Sequence, residues 1–436
     1  MSRQISGQPS RRPVKPFIVS NAAASSPSLS GSSDQYLDTG AQKNEEIVAE
    51  AEQDPMNLAD PDSCFCEFQG VHIHHKVFDP QTLSDDVPIT SQDTQETQKT
   101  EFPMILLHGF GASVFSWNRV MKPLARLVRS KVLAFDRPAF GLTSRLLHPF
   151  SSTNDAKPLN PYSMVYSVLT TLYFIDFLAT EKAILVGHSA GCLVAVDSYF
   201  EAPERVAALI LVAPAIFAPR PSNTAGSEDN KKGPKNKFLG RLVELSKVIT
   251  GAIWRAVMGM ASMLSSLYKK ALSAFLRSSL GVMLVRMAIN KFGVTAVRNA
   301  WYDSKQVTDH VVEGYTKPLK AKGWDRALVE FTVATLTDTS GSEKKPPLSK
   351  RLQEIKCPVL IMTGDTDRIV PAWNAERLAR AIPGSVFHVI KKCGHLPQEE
   401  KPEEFLSVVA KFLGDVFGGS QQQEQEMDLK FQGIAS

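Results

Sequence analysis

From Cys64 the chain reads "CFCEFQGVHIHHKVF", alternating residues with Gly70 set for a turn, and this pattern predicts a β-hairpin. Short unbroken apolar runs follow: "MILLH" from Met104, "KVLAF" from Lys131, "AILVG", "VAALILVAP", "CPVLIMTG" and "SVFHVI". Each predicts a buried strand. Longer stretches between them predict helices: one through Trp117 and Leu127, one over "YSMVYSVLTTLYFIDFLAT", one from Ala190, one near Trp373 to Ile382, and one over "KPEEFLSVVAKFL". Strands without a polar face must be covered on both sides, so the alternation predicts an α/β fold with a mostly parallel sheet. No internal repeat is visible.

The alternation stops between Pro214 and about Lys350. A polar loop, "APRPSNTAGSEDNKKGPKNK", opens this interval, and alanine- and methionine-rich helical sequence follows. The expected organisation is a core in two parts, 63–213 and 350–418, with a helical cap inserted over 214–349. A polar tail, 419–436, closes the chain. Residues 1–62 are expected to be disordered. The first 33 residues hold ten serines and four basic residues, with no acid before Asp34. That composition resembles an organelle transit segment, and in a plant it would indicate the chloroplast. The alternative is a serine-rich tail without an address on a cytoplasmic protein.

Composition narrows the chemistry. A net charge of +4 over 436 residues gives no reason to expect a nucleic-acid partner. Five cysteines, an odd number without framework spacing, point to reduced thiols. Cys64 and Cys66 would face the same way on one strand. Cys192 and Cys393 are expected to pack in the core. "HIHHKV" puts His72 and His74 on one strand face and His75 on the other. No acidic or cysteine ligand stands at useful spacing, so no metal and no cofactor is expected.

Candidate chemistry begins at "ILVGHSAGCLVAV". A serine flanked by Gly187 and Gly191 at the end of an apolar run fits a tight strand-to-helix turn that lifts Ser189 above the sheet. Serine needs a base, and the base needs an orienting group. "VIKKCGHLPQEEKP" offers His395 after a strand, and "TGDTDRIVP" offers Asp367, with Asp365 as competitor. All three loops follow the carboxyl ends of predicted parallel strands, where open α/β sheets gather their active groups. In "LLHGFGAS" the backbone N–H of Phe110, paired with that of Ala190, is placed for an oxyanion. His108 is read as a structural partner of that turn.

The segments "HGFGAS…W", "DRPAFGLTSR", "GHSAG", "GDTDRIVP" and "GHLPQEEKPEEF" resemble successive signatures of the α/β-hydrolase superfamily. The likeness is to its lid-bearing esterase, lipase and C–C hydrolase branch, over about Cys64 to Ala218 and Lys350 to Gly418. A weaker likeness is to chloroplast-type plant members. The resemblance implies catalytic Ser189, Asp367 and His395 with Phe110 and Ala190 as oxyanion donors. It departs at Pro138-Ala139, where many relatives carry Arg-Gly. The aspartate nucleophile of epoxide hydrolases and haloalkane dehalogenases is missing at the elbow.

From Phe238 to Trp301 the cap carries nine basic residues against one acid, Glu244. Apolar helices with basic flanks suit a cap that makes peripheral contact with anionic lipid and admits a greasy chain; the other reading is an apolar face buried on the core with its basic residues in water. Val248 to Tyr268 is long enough to span a membrane, but Arg255 inside it opposes that reading. The expected activity is hydrolysis of a lipophilic carboxylic ester, an acyl lipid or prenyl-type ester, through an acyl-enzyme. Two alternatives stand beside it: C–C bond hydrolysis of a diketone-like compound, and a ligand receptor or pseudoenzyme on the same fold.

Overall fold

The computed structural model describes residues 52–82, 102–146, 159–217, 266–337, 346 and 348–432. The transit-like segment up to residue 51, the polar loop after Phe217 and most of the 248–268 stretch lie outside the described residues.

Eight strands form one sheet: β1 (Cys64–Phe68), β2 (Val71–Phe78), β3 (Met104–Leu107), β4 (Val132–Phe135), β5 (Ala183–His188), β6 (Val206–Val212), β7 (Val359–Gly364) and β8 (Val386–Ile390). Their order is β1-β2-β4-β3-β5-β6-β7-β8. The first two pairings, β1 with β2 and β2 with β4, are antiparallel, and the remaining five are parallel. Gln69 and Gly70 turn the hairpin, both at positive φ as a tight two-residue connection requires.

Alternate residues of the central strands feed two separate cores. Ile105, Leu107, Leu133, Phe135 and Leu185 pack against α2 (Met164–Phe177), α3 (Gly191–Glu201) and α9 (Ala372–Ala381). Met104, Leu106, Val132, Ala134 and Ile184 pack against α1 (Met121–Val128) and α11 (Pro402–Gln432). Double coverage is why these strands carry no polar face. The helix expected through Trp117 begins instead as a separate 3-10 turn, Val114–Trp117, capped by the Ser113 hydroxyl on the Phe115 N–H.

The cap contributes α4 (residues 266–277), then α5 (Ser279–Ala300), α6 (Asp309–Thr316) and α7 (Trp324–Thr337). Two of its basic residues meet acids outside the 238–301 window. Arg277 forms a two-bond pair with Glu330, and Arg286 reaches Asp325 at 2.8 Å and Glu52 at 2.6 Å. After the cap comes the short α8 (Leu348–Arg351), and α10 (Pro397–Glu400) directly precedes α11.

Two boundaries differ from expectation. Residues 52–62, expected to be disordered, are folded: Asp54 caps a 3-10 turn at Pro55–Leu58, and Leu58 is buried with Leu142 and Ala321. Gln53 bridges to Ala321, and Asp60 holds both Lys76 and Lys317. Polar composition suggested disorder there because its ion-pair partners lie far along the chain. At the other end α11 runs on to Gln432, past the expected start of the tail at 419, through "QQQEQEM", whose residues are good helix formers. Ala139 in "DRPAFG" sits at φ +81°, so the Pro138-Ala139 departure keeps a glycine-like backbone at some cost in strain.

Candidate active site

Ser189 follows β5 directly and has φ +50°, a strained value for a serine. Its N–H donates to the Val212 carbonyl on β6 at 2.9 Å, and α3 begins two residues later. The turn is tight because helix and sheet touch. A Cβ at Gly191 would lie 2.1 Å from the Leu107 carbonyl oxygen. Glycine alone lets α3 start there.

Asp367 lies in the loop after β7, and His395 in the loop after β8. His395 Nδ1 and Asp367 Oδ2 are 2.7 Å apart, both side chains buried. The other oxygen, Oδ1, accepts the N–H groups of Ile369 and Val370, each at 2.8 Å. The carboxylate is thereby fixed before it meets the imidazole. Asp365, the competitor, is exposed and accepts from the Thr366 hydroxyl and the Cys393 N–H, so it shapes its own loop and does not reach the histidine.

His188 connects the two halves of the site. Its ring centroid is 4.9 Å from that of His395, and its Nε2 donates to the His395 carbonyl at 2.8 Å. Burial, and next the neighbouring His395, push His188 down to about 3, so the ring is neutral at physiological pH. Nε2 carries its proton, and Nδ1, which has no hydrogen-bond partner among the described residues, faces Gly109. With Nδ1 of His395 committed to Asp367, its Nε2 is the nitrogen left to accept a proton. Among the described residues no hydrogen bond joins Ser189 Oγ to His395. Such contacts commonly tighten only in the substrate complex.

The turn after β3 lies against the serine: a Cβ at Gly109 would stand 3.1 Å from Ser189 Cβ. The N–H groups of Phe110 and Ala190 donate to no described backbone group. His108 is buried with both ring nitrogens in use: Nδ1 donates to the Gly109 carbonyl at 2.7 Å, and Nε2 accepts the Arg137 N–H at 3.0 Å. Its role in this structure is to brace the turn. Burial raises both the Cys192 and the Cys393 thiol, which leaves them packing groups.

Sequence reading missed three residues that bear on the site. Glu400 accepts the Gly394 N–H on both oxygens, at 2.9 and 3.0 Å, and the N–H groups of Leu396 and Tyr302. The His395 N–H in turn donates to Ala300 at 2.7 Å, so the end of cap helix α5 is bonded onto the histidine loop. Glu399 meets the Tyr315 hydroxyl of α6 at 2.5 Å, and burial pushes its carboxyl up to about 8. Asp136 is the third. Oδ2 takes His74 Nδ1 at 2.6 Å and the Leu142 N–H, and Oδ1 takes the Val114 N–H, so His74 is the hydrogen-bond partner of a buried carboxylate where the sequence offered no nearby acid. A polar cavity of about 210 Å³, lined by Asp136, Phe115, His310 and Lys317 among others, opens beside this pair and does not include Ser189, Asp367 or His395.

The model of the alpha/beta hydrolase family matches residues 104–408, which is most of the chain, and this protein belongs to that family. It is 26% identical over 313 residues to a 2-hydroxy-6-oxononadienedioate/2-hydroxy-6-oxononatrienedioate hydrolase of Paraburkholderia phymatum, covering 71% of this chain and 86% of the relative. It is 35% identical over 340 residues to the abhydrolase domain-containing protein abhd-5.2 of Caenorhabditis elegans, covering 76% of this chain and 63% of that one. Among solved structures, a hydrolase from Pseudomonas aeruginosa superposes with a TM-score of 0.51 at 16% identity, over 82% of this chain and 100% of its own, which supports the fold.

Proposed function

We propose that this protein is a serine hydrolase that cleaves a carbon–carbon bond next to a ketone. Ser189 attacks the carbonyl carbon, His395 takes the hydroxyl proton, and Asp367 holds and stabilises the imidazolium. The N–H groups of Phe110 and Ala190 receive the oxyanion. As the tetrahedral adduct collapses, the C–C bond breaks and His395 returns the proton to the departing carbon. Water then releases the acid from Ser189. The observation that carries the hydrolytic reading is the buried 2.7 Å hydrogen bond from His395 to Asp367, set beside a serine held at φ +50°. The choice of bond is supported by relatives whose names specify 2-hydroxy-6-oxo-dienoate-type substrates, including one for 2-hydroxy-6-oxo-6-phenylhexa-2,4-dienoate from Comamonas testosteroni at 24% identity.

A second reading, a lipophilic carboxylic ester, is favoured by α5. Its 22 residues are apolar enough in length and composition to cross a membrane, and only 11% of the apolar window is buried. Leu280, Met283, Met287 and Phe292 are exposed along it, a surface suited to peripheral lipid contact.

The test is turnover of a 2-hydroxy-6-oxo-dienoate and of a long-chain acyl ester by wild type and by Ser189→Ala. Loss of the serine should lower kcat by about 10³-fold or more, and remove labelling by a fluorophosphonate. Turnover of the ester alone would select the second reading. Labelling that survives in the variant removes Ser189 from the mechanism.

A further inference from the structure

We infer that Arg137 is the receptor for an anionic group, a carboxylate or phosphate, carried by the substrate. Arg137 follows Asp136 in the turn after β4 and is 2% exposed. Its Nε and Nη2 are buried and have no hydrogen-bond partner among the described residues. Neighbouring groups do not explain this. Asp136 is spent on His74, Leu142 and Val114. Arg145, in the same segment, donates from its two Nη groups to the carbonyls of Thr143 and Gly141. Burial alone lowers the Arg137 guanidinium to about 10, with no carboxylate opposing it, so the side chain remains a cation at neutral pH.

What surrounds the charge is aromatic. The guanidinium carbon lies 5.4 Å from the centroid of Phe140 and 5.8 Å from that of Phe331 on α7. Attraction to two ring faces returns less than the hydration a buried cation gives up. The orphaned Nε and Nη2 lie on one edge of the guanidinium, the fork that takes a planar carboxylate or a phosphate through two parallel bonds.

Placement ties this fork to the chemistry. Phe110, whose N–H is offered to the oxyanion, packs its ring on the same two rings, 5.5 Å from Phe140 and 6.1 Å from Phe331. The Arg137 N–H is bonded to His108, which braces the Gly109 carbonyl. Phe110 is 57% exposed, so it is the member of this aromatic cluster that faces solvent and past which a ligand would reach the cation. The anion would therefore sit between the oxyanion turn and cap helix α7, on a substrate whose carbonyl lies at Ser189. This rests on the hydrolytic reading only for the position of the reacting carbonyl; the anion site itself stands or falls separately.

The experiment has two arms, both on the full chain. In the first, thermal unfolding of wild type, Ser189→Ala and Arg137→Met is followed with benzoate, inorganic phosphate or chloride at matched ionic strength. Benzoate or phosphate should raise Tm by about 3 °C or more over chloride in wild type and in Ser189→Ala. Arg137→Met should lose that response, and its ligand-free Tm should not fall, because an uncompensated buried charge has been replaced by an apolar chain of similar size. Which anion works tells a carboxylate from a phosphate. If Arg137→Met does not fold, Arg137→Lys, which keeps the charge without the fork, should show a weakened response. An anion-insensitive wild type, or equal responses with and without the arginine, overturns the inference even if Ser189 proves catalytic. In the second arm, a p-nitrophenyl hemisuccinate is compared with the neutral butyrate. Arg137→Met should raise KM for the anionic ester at least 10-fold more than for the neutral one; equal effects would mark a merely structural side chain.

Discussion

Asp136 shows how much one residue can organise where sequence gives little notice of it. Burial pushes its carboxyl up, but the His74 imidazole and the Leu142 N–H outweigh this and hold it down to about 2. An unfolded aspartate titrates near about 3.9. The pair therefore contributes stability that is fully present above about pH 4 and is lost as pH falls towards about 2. Asp136→Asn leaves His74 without its acid and puts amide hydrogens where N–H donors converge. The expected loss is about 3–5 kcal/mol of unfolding free energy at pH 7, measured by urea titration, and it should shrink in acid. A loss that stays constant from pH 7 to pH 2.5 would contradict the assignment. His74 was legible as a strand residue, but its partner stands 62 positions away and no local pattern joins them. Asp365 and Asp367 present the same limit from the other side. Both fit the loop after β7 by position; the family resemblance implied Asp367, and in the fold that is the carboxylate turned onto His395.

At the scale of elements, the turn between β5 and α3 depends on the absence of a side chain at Gly191. A methyl group there meets the Leu107 carbonyl at 2.1 Å, a backbone atom that cannot swing aside. Gly191→Ala must either push α3 away from β3 or tilt the serine turn. Expected outcomes are a fall in kcat of about 10²-fold or more with little change in KM, and a destabilisation of about 2 kcal/mol or more. Activity and Tm within error of wild type would show that the elbow tolerates a wider approach. This element was readable because its glycines flank the serine in sequence and end an apolar run. The helices of the cap were readable only as helices. Their basic residues look unbalanced within a 64-residue window, yet Arg286 closes on Asp325, on a different helix, and on Glu52, far away in sequence.

Across the whole molecule, the segment from Glu52 to Asp62 lashes the cap to the sheet. Glu52 and Gln53 hold the cap at Arg286, Lys320 and Lys322, while Asp60 joins Lys317 of the cap to Lys76 of β2. Lys76 is itself buried and relies on Asp60 and Asp62 for its charge partners. A chain starting at residue 63 should melt several degrees below one starting at residue 52, because Lys76 loses both acids. Equal melting temperatures would mean that the lashing carries no net stability. The mostly parallel sheet and its two-sided coverage were foreseeable from periodicity; the order of the strands and the seam between cap and core were not, since the seam is made of polar pairs between distant positions. That seam ends at Ala300–Tyr302, whose carbonyl and N–H grip the loop bearing His395. Transplanting a foreign cover onto this hydrolase would thus exchange more than the shape of the entrance: without a matching backbone at that junction, the His395 imidazole would lose part of its own mounting.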